Sequence, residues 1–285
     1  MQTAVVLAGT LAVVMAALLA YAAVGRSRFD RRVEHSIRQL ERAPVRVGET
    51  PIRASDLADL PAPIARYLEF AGVVGKRPIA RAHVTQSGEF RLDPDGHWMS
   101  MVATQHYTAN PPRFVWDATI DVISGIPFRV RDGYTEADSQ MLGTLAGAIP
   151  VVDAAGPEIE QGSYMRFLGE GAWLPTVFLE DYIAWDPIDV DRARLVSTRG
   201  DIDVSAVCHV DEQGALRRFE GPRYFERGGT YRMETWYGRY DEYTEVDGFR
   251  VPTRCVAAWD LADGSFDYVR VSTQRFDFEG RDSRS

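Results

Sequence analysis

Five short turn sequences, Asp93-Pro94-Asp95-Gly96, Asp211-Glu212-Gln213-Gly214, Gly228-Gly229, Asp247-Gly248 and Asp263-Gly264, each separate runs rich in β-branched and aromatic residues. Connections this short join antiparallel strands, because a parallel pair needs a crossover of a dozen residues or more. The runs themselves alternate. Phe114, Trp116, Ala118, Ile120 and Val122 take turns with Val115, Asp117, Thr119 and Asp121, and Ile202, Val204, Ala206, Cys208 and Val210 repeat the pattern against Asp203, Ser205 and His209. A period of two marks a sheet covered on one face. The chain is therefore expected to form a long antiparallel meander. Twist accumulates along such a sheet, so roughly ten strands curl or close instead of staying flat.

Two helical segments interrupt this pattern. Leu60-Pro61-Ala62-Pro63 starts one, with Ile64, Tyr67, Leu68 and Val73 on its buried side and Gly72 near its stop. Gly156 to Leu179 forms a central insertion that starts at Pro157 and breaks around Gly169 and Gly171. A helix packed into the sheet's concavity would cover its apolar face and leave room for an apolar cavity. The expected fold class is thus α+β: a strongly curved, half-barrel-like antiparallel sheet with a central helical insertion, preceded by one transmembrane helix. Residues 43–55 read as a linker, 55–280 as one domain, and the Ser-rich end as a frayed tail.

The transmembrane reading rests on Ala4 to Val24, an uncharged apolar stretch of about 20 residues, enough at ~1.5 Å per residue to cross a ~30 Å hydrocarbon core. Ala20-Tyr21-Ala22 would suit a signal-peptide cleavage site, but the apolar run is long for one and no basic residue precedes it. No Cys stands near its end, which excludes a lipoprotein anchor. The span is assigned to residues 1–25 and a basic juxtamembrane helix and linker to 26–54. Arg26, Arg28, Arg31, Arg32, Arg38 and Arg42 follow the span, and the positive-inside rule favours the cytoplasm for the domain. Within that collar Phe29, Val33, Ile37 and Leu40 mark one apolar helical face. Two readings fit it: a helix continuing from the span, or an amphipathic segment lying on anionic headgroups. Residues 1–42 hold six Arg and three acidic residues, whereas the rest of the chain carries 26 basic and 38 acidic groups. That acidic body argues against nucleic acid as a partner and makes the lipid bilayer the expected one, with no protein partner indicated.

Local motifs for chemistry are missing. The two Cys, Cys208 and Cys255, are too few for a disulfide framework, and the five His form no His-x-x-x-His or Glu-x-x-His pair, so no metal and no cofactor is expected. Asp186, Asp189 and Asp191 lack the Gly and terminal Glu of an EF-hand and read as a solvated turn. No nucleophile elbow, phosphate-binding loop or dinucleotide fingerprint occurs, and no catalytic residue is assigned. Carboxylates need a separate look, since hydrolases and isomerases can work with two of them. On the insertion, Arg166 and Glu170 are spaced i,i+4, with Glu158 upstream. They are a surface ion pair or, if the helix fills the concavity, buried polar groups able to orient a ligand headgroup. Trp98, Trp116 and Trp173, with Met99 and Met101, would supply an adaptable apolar lining or ordinary core.

Together these strings resemble an uncharacterised bacterial family, a domain of unknown function attached to a membrane span. The resemblance is carried by Leu60-Pro61 through Arg66-Tyr67, Gln86 through Arg91, Trp98 with Ala103-Thr104-Gln105, and Pro112 through Trp116. It continues in Asp132-Gly133-Tyr134, Gly156-Pro157-Glu158, Arg166 through Glu170 with Trp173 and Pro175, then Gly248 through Pro252 and Trp259. It implies a fold and names no reaction or substrate. At the level of architecture alone, the inferred sheet and inner helix are similar to bacterial lipoprotein-carrier half-barrels. The leading expectation is a single-pass membrane protein that binds a lipid-like or other amphiphilic ligand, with Arg166, Glu170, Trp173, Glu158, Trp98 and Trp116 as ligand-binding candidates. Its rivals are a hydrolase or isomerase using Glu170 and Glu158, and a non-catalytic interaction module that presents a sheet edge.

Overall fold

The alternating runs become strands and the turn sequences become hairpins. A computed structural model describes residues 2–123, 126–135 and 139–279. The Ser-rich end after Glu279, expected to fray, lies outside the described residues. Six strands come first: β1 (Arg81–Phe90), β2 (Met99–Thr108), β3 (Arg113–Ile123), β4 (Ile126–Tyr134), β5 (Gln140–Leu145) and β6 (Ile149–Ala155). Seven follow the insertion: β7 (Ala184–Pro187), β8 (Arg192–Arg199), β9 (Ile202–Val210), β10 (Leu216–Arg227), β11 (Thr230–Val246), β12 (Phe249–Leu261) and β13 (Gly264–Glu279). All pair antiparallel in one sheet of order β6-β5-β4-β3-β2-β1-β13-β12-β11-β10-β9-β8-β7. With 13 strands rather than about ten, the sheet curls into a half-barrel, as accumulated twist requires.

This order decides where the insertion must lie. Strands β6 and β7 are the two outer edges, so the chain between them has to cross the concave side. It does so as α3 (Pro157–Glu170), followed by two 3-10 turns at Gly171–Trp173 and Pro175–Leu179. Pro157 sits in the first turn, where its missing N–H costs nothing, and the α-helix ends at Glu170, between the two glycines that announced the break. Because sheet surrounds it, α3 is buried from Gln161 to Met165 and from Phe167 to Gly169. Gly169 permits this closeness: a Cβ there would stand 3.1 Å from both the Phe219 and Trp236 rings. The short α2 (Ala62–Phe70) closes the bottom of the core through Ile64, Tyr67 and Leu68.

Since every strand reverses its neighbour, the turns collect at two ends. Among the described residues one end holds the turns β1–β2, β5–β6, β8–β9, β10–β11 and β12–β13; the other holds β2–β3, β7–β8, β9–β10 and β11–β12.

The N-terminal helix α1 runs unbroken over Gln2–Arg42. From Phe29 onward its apolar face lies on the outer face of the sheet: Phe29 and Val33 are buried with Leu142 of β5, and Ile37 packs beside them. Asp30 pairs with Arg129 at 3.0 Å, and the Arg81 guanidinium donates to the Leu40 and Ala43 carbonyls at 2.7 and 2.5 Å, satisfying orphan acceptors at the helix end. The face read as a candidate for anionic headgroups is therefore occupied by the protein's own sheet, and the helix-continuation reading holds. Gly25 meets the β5–β6 turn, where an added Cβ would come within 2.6 Å of the Ala148 Cα. N-terminal to Gly25 the helix leaves the domain, and Leu11, Val13, Met15, Leu18 and Leu19 stand exposed. The stretch Thr10–Arg42 contains a window long and apolar enough for a membrane span, a test that a signal sequence also passes.

Candidate functional site

Inward-facing positions of four neighbouring strands bring polar residues under the C-terminal end of α3. Gln105 of β2 stands opposite Trp116 of β3, which stands opposite Asp132 of β4; Tyr107 is two residues along from Gln105 on the same face, and Gln86 of β1 is near by. Arg166 reaches down among them. Its Nε donates to Glu170 at 2.7 Å, its Nη1 to Asp132 at 2.8 Å and its Nη2 to the Gln105 side-chain oxygen at 3.1 Å. Glu170 in turn accepts from the Gln105 amide at 2.7 Å and from the Tyr107 hydroxyl at 3.1 Å. The guanidinium also lies over the Phe114 and Trp116 rings, at 5.0 and 4.8 Å from their centroids. The Arg166–Glu170 pair is therefore enclosed between helix and sheet, not displayed on the surface.

The electrostatics follow from this enclosure. Burial by itself depresses the Arg166 pKa, but the Glu170 and Asp132 carboxylates more than offset it, and the net shift is upward. Burial and the neighbouring Glu170 push the Tyr107 phenol far up, so it stays a donor. Burial, with Glu170 adding to it, takes the nearby Cys255 thiol to about 12, which leaves it protonated and a poor nucleophile.

Three polar atoms here have no partner: Gln86 Nε2, Asp132 Oδ1 and Thr273 Oγ1 are buried without a hydrogen bond. Gln86 and Thr273 face each other across β1 and β13, so a donor and a hydroxyl are left open side by side. Such groups each cost about 1–3 kcal/mol unless water or a ligand meets them. Space for one exists. Arg166 and Glu170 keep 16% and 12% of their side-chain exposure, and the inward-facing Cys255, Ala257 and Val269 are only half-buried. Solvent therefore reaches a recess between helix and sheet; toward the β1–β2 and β12–β13 turns it is bounded by Phe90 and by the buried Met99, Trp236 and Trp259, with the Arg223 guanidinium over the two indole rings at 5.1 and 5.6 Å. Trp236 donates to the Tyr268 hydroxyl at 3.0 Å, and Phe225 packs on Trp259 at 4.9 Å between ring centroids.

Of the residues singled out from sequence, Arg166, Glu170 and Trp116 meet in this cluster. Trp173 is buried beside it in the first 3-10 turn, where its indole donates to the Pro252 carbonyl at 3.0 Å. Glu158 does not join them: twelve residues up the helix from Glu170, it stands ~18 Å away at ~1.5 Å per residue. Glu158 and Glu170 thus cannot flank one scissile bond, for which carboxylates ~5–9.5 Å apart are needed. Trp98 also lies elsewhere, at the β1–β2 turn, held between the guanidinium groups of Arg91 and Arg270 at 4.6 and 4.1 Å. The partners missed from sequence are Gln86, Gln105, Tyr107 and Asp132. Their signal was present, since each is a polar side chain at an inward position of an alternating strand.

A second opening, of about 250 Å³, lies on the outer face where the end of α1 meets β1, β2 and β13, lined by Glu41, Arg81, His83, His106 and Asp277 among others. The His83 and His106 rings sit 4.4 Å apart there. Among the described residues no group of three or more His, Cys, Asp or Glu is arranged to hold a metal ion.

A half-barrel antiparallel sheet of 13 strands, crossed on its concave side by one helix over a polar cluster, defines an α+β half-barrel domain. The chain belongs to DUF6544, a family of unknown function, whose pattern matches residues 50–271. No curated protein matches it. Among solved structures it is similar to a DUF1329 family protein from Desulfovibrio piger, with 12% identity over 81% of this chain and 94% of that one and a TM-score of 0.42. It is also similar to a putative outer membrane lipoprotein-sorting protein domain from Vibrio parahaemolyticus, with 10% identity over 72% and 88% of the two chains and a TM-score of 0.39. A LolA superfamily protein from Nitrosomonas europaea matches at 13% identity over 82% and 96%, with a TM-score of 0.36.

Proposed function

We propose that this protein is a membrane-anchored binder of an amphiphile, which is held in the recess between α3 and the sheet. The observation that carries the reading is the buried polar cluster with unpartnered atoms, set at the inner end of an aromatic-walled space. A polar head would meet Gln86 and Asp132, and an apolar body would lie along Cys255, Ala257, Val269 and Phe90, with the Arg223 guanidinium over Trp236 and Trp259 at its far end. The charges narrow the head. The guanidinium of Arg166 is already committed to Glu170, Asp132 and Gln105, and two carboxylates stand against one cation. The site therefore suits a hydroxyl-bearing, amide-bearing or zwitterionic head better than a simple anion. The apolar part of α1 serves as the anchor, and the six arginines on its domain side favour retention in the cytoplasm.

Native mass spectrometry of the gently extracted full chain, with lipid analysis of what co-purifies, tests the reading. A discrete bound amphiphile is expected, lost in Ala257→Trp, which fills the recess, while the circular dichroism spectrum stays that of the parent. A clean ligand-free mass from native membranes, unchanged after incubation with extracted lipids, refutes it.

A further inference from the structure

The helix α1 fixes more than an attachment point. It leaves the domain at Gly25, against the β5–β6 turn, and its exposed apolar stretch continues beyond the end that also bears the β1–β2 and β12–β13 turns. The aromatic wall of the recess, Phe90, Met99 and Trp259, lies toward this same end. Exposed apolar side chains stand here as well: Leu92 in the β1–β2 turn is 66% exposed, and Ile149 and Val151 of the edge strand β6 are 52% and 61% exposed; the opposite end has Val190 at 73%, so it is the exit of α1 that singles this end out. Trp98, between Arg91 and Arg270, combines an aromatic ring with cationic neighbours, the pairing found at bilayer surfaces.

From this coincidence we infer that the turn-bearing end is a docking surface for the bilayer that holds α1, so that the recess opens toward the lipid leaflet and takes a membrane lipid directly from it. The choice of lipid as occupant rests on α1: an unbroken apolar helix leaving this end sets a bilayer that it spans against this end and against no other. The docking rests on the reading of α1 as the anchor, and what enters the recess rests on the amphiphile-binding reading as well.

The test uses the full chain in vesicles of phosphatidylethanolamine and phosphatidylglycerol, in a Cys255→Ala background that removes the half-buried thiol. Single cysteines replace Leu92, Val151 or, in the opposite β9–β10 turn, Glu212, and each carries an environment-sensitive fluorophore. Labels at Leu92 and Val151 are expected to be quenched by nitroxide-bearing lipids and shielded from iodide, with the reverse at Glu212. Iodide quenching of all three alike overturns the docking surface, even if a bound amphiphile is found. Lipid quenching at Leu92 and Val151 with no amphiphile in the mass spectrum keeps the docking surface and removes the recess reading. As a second measurement, Leu92→Asp with Val151→Asp, both on exposed positions that folding does not need, should slow uptake of a fluorescent phosphatidylethanolamine from such vesicles at least 5-fold; uptake at the parental rate counts against loading from the leaflet.

Discussion

Arg166 uses its Nε, Nη1 and Nη2 on three different side chains, which makes it the residue whose loss the interior tolerates least. Arg166→Met leaves the Glu170 and Asp132 carboxylates buried without a cation, and about 3–5 kcal/mol of stability should go with it, read by urea denaturation of the detergent-solubilised chain. Because the groups form one network, Arg166→Met combined with Glu170→Gln should cost less than the sum of the two single changes. A different residue governs acid behaviour. Burial, and then the charge of His83, depress His106 to about 4, against about 6.5 when the chain is unfolded. The native state thus holds it neutral, although Glu41 lies 3.6 Å from its Nδ1. A depressed pKa contributes stability that is fully present above pH 6.5 and is lost as the pH falls toward 4, up to about 3 kcal/mol for a shift of this size. His106→Gln should flatten that part of the profile of Tm against pH.

At the scale of elements, the docked half of α1 is the part most open to challenge. Val33 is buried against β5 in a small cluster separate from the main core. Val33→Asp should therefore release the helix from the sheet without unfolding the domain: trypsin cleavage between Arg26 and Arg42 rises sharply, and the melting of the sheet stays within a few degrees. How far elements were legible in the sequence follows from their physics. Alternation and Gly-bearing turns are local signals, and the hairpins at Asp93–Gly96, Asp211–Gly214 and Asp247–Gly248 all fall where those signals put them. Pro157 and the glycines flanking Glu170 likewise delimit α3. What covers a face is not local. The stripe Phe29, Val33, Ile37 and Leu40 has the same spacing whether it meets lipid headgroups or a sheet, and only the fold shows that β2, β3 and Leu142 of β5 lie under it.

For the whole molecule the same distinction separates architecture from site. A curved sheet follows from strand count and twist, and a crossing helix follows from an insertion placed mid-chain. The cluster does not, because Gln86, Gln105, Asp132 and Arg166 become neighbours only once four strands are in register and α3 has been laid across them. Trp98 and Glu158 looked equivalent to Trp116 and Glu170 by residue type, and only register and helical rise separate them.

Continuity of α1 has a mechanical consequence. Within α1 no break separates the apolar stretch from the face packed on the sheet, so helix and domain form one piece, and an anchor set in a bilayer would hold the domain at fixed height and heading. The docked portion, Gly25 to Arg42, is ~26 Å long at ~1.5 Å per residue, about the height of the sheet. On the amphiphile-binding reading proposed above, a binder mounted in this way would not ferry anything across an aqueous gap as a free carrier does. Its exchange would be confined to the leaflet beneath it and to partners that diffuse up to its side.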